Sequence, residues 1–351
     1  MKGVILVENS FVHPYMPNSV PENKKAMLDE LGISSVEDIY KSIIPDELLY
    51  KERLDIPEPI RSEYELKRHV MGILNRDITT EEYTSFLGAG CYKHQVPAIC
   101  DEINSRGEFL TAYCGDTYSD HGKMQAIFEY TSMMGELLDT DVVSYTTYDG
   151  GQAVASSLRM AVRAVREKGM AGKVILVPKT MNPEIYSQVV QYCRNVAEVR
   201  KIAYEPETGL MDLEELKEQL TKKNVAAVFF ENPTYLGNFE TRGEEIAKLA
   251  HDAGAYCVVQ TEVAALGIME SPVNQGADIV CGDIQPLGMH IQFGGGQAGF
   301  IACNQNMDLV EQFPTYMYGI TETEKEDTYG WGRAMNYRSS HGSRENAKEY
   351  F

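Results

Sequence analysis

From residue 123 onward the chain alternates between short apolar runs and amphipathic stretches, and that alternation limits the folds open to it. Seven runs read as strands: residues 142–148, 173–178, 197–204, 225–231, 255–261, 278–283 and 298–303. A long helix over 123–138 leads into the first, and helical stretches at 152–168, 183–194, 212–220 and 244–253 separate those that follow. Strands that alternate with helices need crossover connections, which pair the strands in parallel and lay helices on both faces. The expected class is therefore α/β, with a mostly parallel seven-stranded sheet. The last two strands are joined by the bend Gly294-Gly295-Gly296, with no helix between them, which predicts an antiparallel edge strand.

The ends of this alternating region are less regular. Residues 1–60 are polar and dotted with proline, with helices predicted from Ser19 to Leu31 and from about Val36. Gly32 suits the stop of the first, because glycine takes positive φ freely. The segment reads either as an arm that wraps a partner or the body, or as a loosely packed extension. Residues 61–305 form the large α/β domain, in which 63–75 opens as an amphipathic helix. Residues 306–351 read as the incomplete start of a C-terminal segment, with a last helix beginning after Gly342.

Composition excludes several function classes. With 52 acidic against 32 basic residues the formal charge is −20, and no basic stripe offers a surface to nucleic acid or anionic lipid. The apolar run in MKGVILVENS is too short for a signal peptide, and no stretch is long enough to span a membrane. Seven scattered cysteines, never in a CxxC pair, supply neither zinc spacing nor a disulfide framework. A reducing, cytoplasmic compartment and no metal are the expectation.

Three places could carry chemistry. The turn Tyr148-Asp149-Gly150-Gly151-Gln152 ends a strand and opens a helix, so its amides could hold a phosphate, or Asp149 could simply cap the helix. The loop 113–122, YCGDTYSDHG, gathers hydroxyls, Asp116, Asp120 and His121 into what is either a solvated loop or a site. The third place is the strand–loop–strand unit 276–303, which contains Gln285-Pro286 and no lysine. None occurs between Lys248 and Lys325.

Read in order, the runs Phe86-Leu87-Gly88-Ala89-Gly90-Cys91-Tyr92-Lys93-His94-Gln95-Val96-Pro97-Ala98, Thr111-Ala112-Tyr113, Gln125-Ala126-Ile127-Phe128-Glu129, Tyr148-Asp149-Gly150 and Gly276-Ala277-Asp278-Ile279-Val280, with Gln285, Leu287-Gly288 and Phe293-Gly294-Gly295, carry a family resemblance. Over most of residues 15–305 the chain resembles the α subunit of the two-subunit glycine dehydrogenase, the decarboxylating P-protein of the glycine cleavage system. The resemblance implies the pyridoxal-phosphate-dependent transferase fold of the aspartate aminotransferase type, fold type I. It implies that the Schiff-base lysine sits on a β subunit, in a His-Lys pair that aligns with Gln285-Pro286, so that Pro286 stands at the lysine position here. It also implies an α2β2 assembly, pyridoxal phosphate on the partner, decarboxylation of glycine, and a lipoyl carrier (H-protein) that accepts the aminomethyl group. Tyr113, Tyr118 and His121 are then the residues expected to be lent to the partner's site.

The chain departs from the family's pattern at Cys114-Gly115-Asp116-Thr117-Tyr118-Ser119-Asp120-His121-Gly122 and at Pro314-Thr315-Tyr316-Met317-Tyr318. Those departures leave open an α-like subunit for another amino acid, or a cofactor-free scaffold.

Overall fold

The structure is a computed structural model that describes residues 12–50, 52, 54–86, 92–107, 121–144, 146–222, 224–292, 297–315 and 317–334. It divides into two compact units, Met1–Thr79 and Thr80–Phe351.

The first unit holds three helices, α1 (Pro21–Leu31), α2 (Val36–Ile43) and α3 (Glu63–Leu74). Local chemistry sets their ends. Pro21 starts α1, and Gly32 closes it at φ 67°, as expected. Ser19 is not its cap: Val20 holds that position, and the Ser19 hydroxyl oxygen accepts from the His13 amide at 2.7 Å. Ser35 and Asp38 form a capping box on α2, and the Ser62 hydroxyl accepts from the Glu65 amide to cap α3. None of the three helices buries a residue, and Ile43, Tyr64, Met71 and Ile73 stand exposed.

The second unit is built on the sheet. After α4 (Ala98–Asn104) and α5 (His121–Leu138) come β1 (Val142–Val143), α6 (Gly150–Glu167), β2 (Val174–Pro178), α7 (Pro183–Cys193), β3 (Glu198–Ile202), α8 (Leu213–Leu220), β4 (Val225–Asn232), α9 (Gly243–Asp252), β5 (Tyr256–Thr261), β6 (Ile279–Asp283) and β7 (Gly299–Cys303). The seven strands stand in the order β1-β7-β6-β5-β4-β2-β3. Neighbours from β6 to β3 pair in parallel, and β7 pairs antiparallel with both β6 and β1.

Both faces of the sheet are covered, which explains why its central strands are continuous apolar runs without alternation. Along β4, Phe229 faces a core layer with Leu158, Met160 and Val258, while Phe230 faces the opposite layer with Leu216 and Ile246. The alanine-rich α6 is buried over nearly its whole length, its small side chains letting it lie close on β4 to β7. The outer strand β3 instead carries Glu198, Arg200 and Lys201, charges that discourage edge-to-edge pairing.

Two expectations need correction. The first strand pairs over two residues only, with an isolated bridge from Thr147 to Gly299. The ladder breaks because the Ile301 amide donates to the Ser144 hydroxyl at 3.1 Å, in place of a backbone carbonyl. The glycine-bend strand β7 is antiparallel as expected, but it is not the edge: it is buried throughout and β1 lies outside it. A further hairpin, β8 (Met317–Glu322) with β9 (Tyr329–Ala334), was not foreseen. It is fastened to α5 by Trp331 on Phe128, ring centroids 4.9 Å apart. The Gly294–Gly296 bend and the helix expected after Gly342 lie outside the described residues.

Candidate functional site

Open α/β sheets present their functional edge at the carboxyl ends of the strands. Here that edge is acidic: β4 ends at Glu231-Asn232, β5 is followed by Glu262, and β6 ends at Asp283. Among the described residues no three histidine, cysteine or carboxylate side chains are placed to hold a metal ion.

Asp283 is the pivot. Its Oδ2 accepts from the Gly150 amide at the start of α6 at 3.1 Å, and its Oδ1 accepts from the Gln285 amide at 2.7 Å. Asp149 caps the same helix, its Oδ1 accepting from the Gln152 amide at 2.6 Å. The capping reading of the Tyr148–Gln152 turn therefore describes what the helix N-terminus does. The glycines here are required by close approach. A Cβ on Gly150 would meet the Cβ of Asp283 at 3.1 Å, and one on Gly299 would lie 2.3 Å from the Asp149 carbonyl oxygen.

Burial shifts these carboxyls. Burial raises Asp283 above its ordinary range, the amides of Gln285 and Gly150 pull it back, and Asp149 pushes it further up. Burial also raises Glu262; its carboxylate accepts from the Ala264 amide, and Asp283 raises it while His94 opposes. Glu231 lies where the strand order doubles back, between β2 and β4. It is 5% exposed and accepts from the Asn182 amide at 3.1 Å, and burial pushes its carboxyl up to about 7.

The loop that carries Gln285-Pro286 is a short 3-10 turn (Gln285–Leu287), with Gln285 buried. Proline has no amine, so Pro286 cannot form a Schiff base. Part of the long run that carries the family resemblance grips this loop. His94 Nε2 lies 2.8 Å from the Met289 carbonyl oxygen, and His290 Nε2 lies 3.0 Å from Asp101 of α4. Gly288, at φ 124°, leaves no room for a side chain against the Cys100 sulfur. This clasp links positions nearly 200 apart, which no local pattern signals. Residues 87–91 of the run lie outside the described residues.

Of the residues expected in a site, Tyr113 and Tyr118 also lie outside the described residues, and His121 is the first residue of α5. Beside Asp149 a surface cleft of about 390 Å³ is lined by Tyr148, Gln152, Ser187, Gln188, Gln191 and Tyr192, without a basic side chain.

The family model described as glycine cleavage system P-protein matches residues 13–350. The chain belongs to that family. A P-protein relative from Carboxydothermus hydrogenoformans, named probable glycine dehydrogenase (decarboxylating) subunit 1, is 37% identical over 95% of this chain and 72% of its own length. A relative of the same name from Pyrococcus horikoshii is 38% identical over 88% of this chain and 67% of its own length. A crystal structure of glycine decarboxylase (P-protein) of the glycine cleavage system, in inhibitor-bound form, is 30% identical with a TM-score of 0.75, covering 93% of this chain and 69% of that one. A sphingosine-1-phosphate lyase from Burkholderia pseudomallei, at 13% identity and a TM-score of 0.55, shares the fold. The P-protein fold expected from the sequence, α/β of fold type I, is thus the fold found. The chain spans between two thirds and three quarters of those two relatives. Among the described residues no helix is long and apolar enough to cross a membrane.

Proposed function

We propose that this chain is the non-lysine subunit of a glycine dehydrogenase (aminomethyl-transferring) complex, working with a lysine-bearing β subunit in an α2β2 assembly. The observation that carries the reading is Gln285-Pro286, in a P-protein chain with no lysine from 249 to 324. Bound on the partner, pyridoxal phosphate supplies the electron sink for loss of carbon dioxide from glycine. This chain contributes hydroxyls from the stretch 113–120 ahead of α5 and an imidazole from the first residue of α5: Tyr113 and Tyr118 orient the substrate, and His121 holds or supplies a proton. A lipoyl carrier, the H-protein, then takes the aminomethyl group.

The N-terminal segment supports the partnered reading, because α1 to α3 bury nothing and leave large apolar side chains exposed. Residues 1–60 are assigned as the arm that grips the partner, 61–305 as the fold-type-I domain, and 306–351 as a C-terminal segment. A cytoplasmic location fits the buried free thiols: burial pushes Cys281 and Cys303 up to about 12, so they act as small apolar side chains.

Co-expression tests the proposal. With the lysine-bearing homologue present, light scattering is expected to give an αβ or α2β2 species, and glycine turnover is expected only from that species. A stable homodimer that ignores the homologue would instead support a cofactor-free scaffold.

A further inference from the structure

Fold type I implies a phosphate-bearing cofactor at the N-terminus of the helix that follows the first strand, here α6. The residues present do not fit one. The Gly150 amide, which would donate to such a phosphate, already donates to Asp283 Oδ2. The other oxygen of the same carboxylate holds the Gln285 amide, so Asp283 staples α6 to the turn bearing Pro286. The two backbones meet closely enough that even a methyl group on Gly150 would press on Asp283, with contacts of 3.1 Å to its Cβ and 3.2 Å to its amide nitrogen. Asp149 raises Asp283, Asp283 in turn raises Glu262, and His94 acts against the latter. A dianionic ester would meet a filled, negatively charged recess.

We infer that Asp283 is a built-in plug: its carboxylate takes the place of a cofactor phosphate at α6, so the recess neither needs nor admits a phosphate ester. The physical reason is the helix end itself. Its first amides have no partner within the helix, and burying them without an acceptor costs stability. A chain of this fold without a bound phosphate must satisfy those amides another way: the carboxylate at the end of β6 takes the Gly150 amide, and Asp149 takes that of Gln152.

The test uses the full chain and pyridoxine 5′-phosphate, which has no aldehyde to react with surface lysines. Unphosphorylated pyridoxine is the control. Wild type is expected to show no saturable binding of either by calorimetry. Asp283→Ala and Asp283→Ser open the recess, and each is expected to prefer the phosphorylated compound by about tenfold or more. Saturable, phosphate-dependent binding by wild type would overturn the inference, as would a folded variant that does not distinguish the two compounds. If neither variant folds, amide exchange of wild type decides. A Gly150 amide protected without phosphate and unchanged by it supports the plug, and one that phosphate is needed to protect refutes it. The result does not depend on whether a partner carries the cofactor, because no partner is present.

Discussion

In the reconstituted complex, His121→Ala is expected to lower glycine turnover by about 10²- to 10⁴-fold, the usual cost of losing a general acid or base. Tyr118→Phe is expected to reduce turnover as well, with the melting temperature little changed. The chemistry sets the demand. Decarboxylation with aminomethyl transfer requires the substrate carboxylate to be gripped, and it requires a proton for the lipoyl sulfur that departs as the disulfide breaks and the new carbon–sulfur bond forms; a group titrating near neutrality suits the second task. His121 is the first residue of α5, immediately after the stretch 113–120 that contains both tyrosines. A purely structural residue at the start of a helix would behave differently: its loss would typically cost about 1 kcal/mol of stability and leave the rate alone. Turnover and melting temperature, measured on the same variants, separate the two roles. Intact turnover with lowered melting would make the loop structural and place the site wholly in the partner.

Glu231→Gln is expected to remove a pH dependence of stability worth about 3 kcal/mol, the linkage equivalent of the shift. Burial raises this carboxyl from 4.5 to about 7, against the opposing pull of the Asn182 and Tyr235 amides, and no charged partner among the described residues compensates it. Between those two values the folded state holds more protons than the unfolded state. The contribution of Glu231 is therefore fully present below about pH 4.5, declines as pH rises, and is lost above about pH 7. Glutamine keeps an acceptor for the Asn182 amide but cannot ionise. Its own amide hydrogens need partners, so the absolute stability of the variant carries an offset common to all pH values. The informative quantity is the difference: relative to wild type, the variant gains about 3 kcal/mol between pH 4.5 and pH 8. Parallel stability profiles from urea unfolding would contradict the assignment.

Much of the fold was legible because burial on both faces writes apolar runs into the sequence. Val225-Ala226-Ala227-Val228-Phe229-Phe230 could be little else than a central strand. The capping box at Ser35 and the stop at Gly32 were legible because the signals are local. The shortened β1 was not, since Ser144 diverts the ladder with its side chain while remaining compatible with a strand. The β8–β9 hairpin was missed because its cross-strand pair, Ile320 with Trp331, is diluted by Gly319, Gly330 and Gly332. The recess at α6 was half legible. Asp149 as a cap follows from Asp-Gly-Gly-Gln, but Asp283 reaches Gly150 from 133 residues away. Glu231 left no trace, because a carboxyl buried without a cation resembles any other strand-end glutamate until the sheet surrounds it.

The central claim is that catalysis here is divided, with the cofactor lysine on another chain. The direct measurement is to purify the complex with its partner, saturate it with pyridoxal phosphate, reduce with borohydride and map the pyridoxyl peptides by mass spectrometry. The account predicts one stoichiometric pyridoxyl-lysine, on the partner, and none at any single site of this chain. A stoichiometric pyridoxyl-lysine within these 351 residues would contradict it.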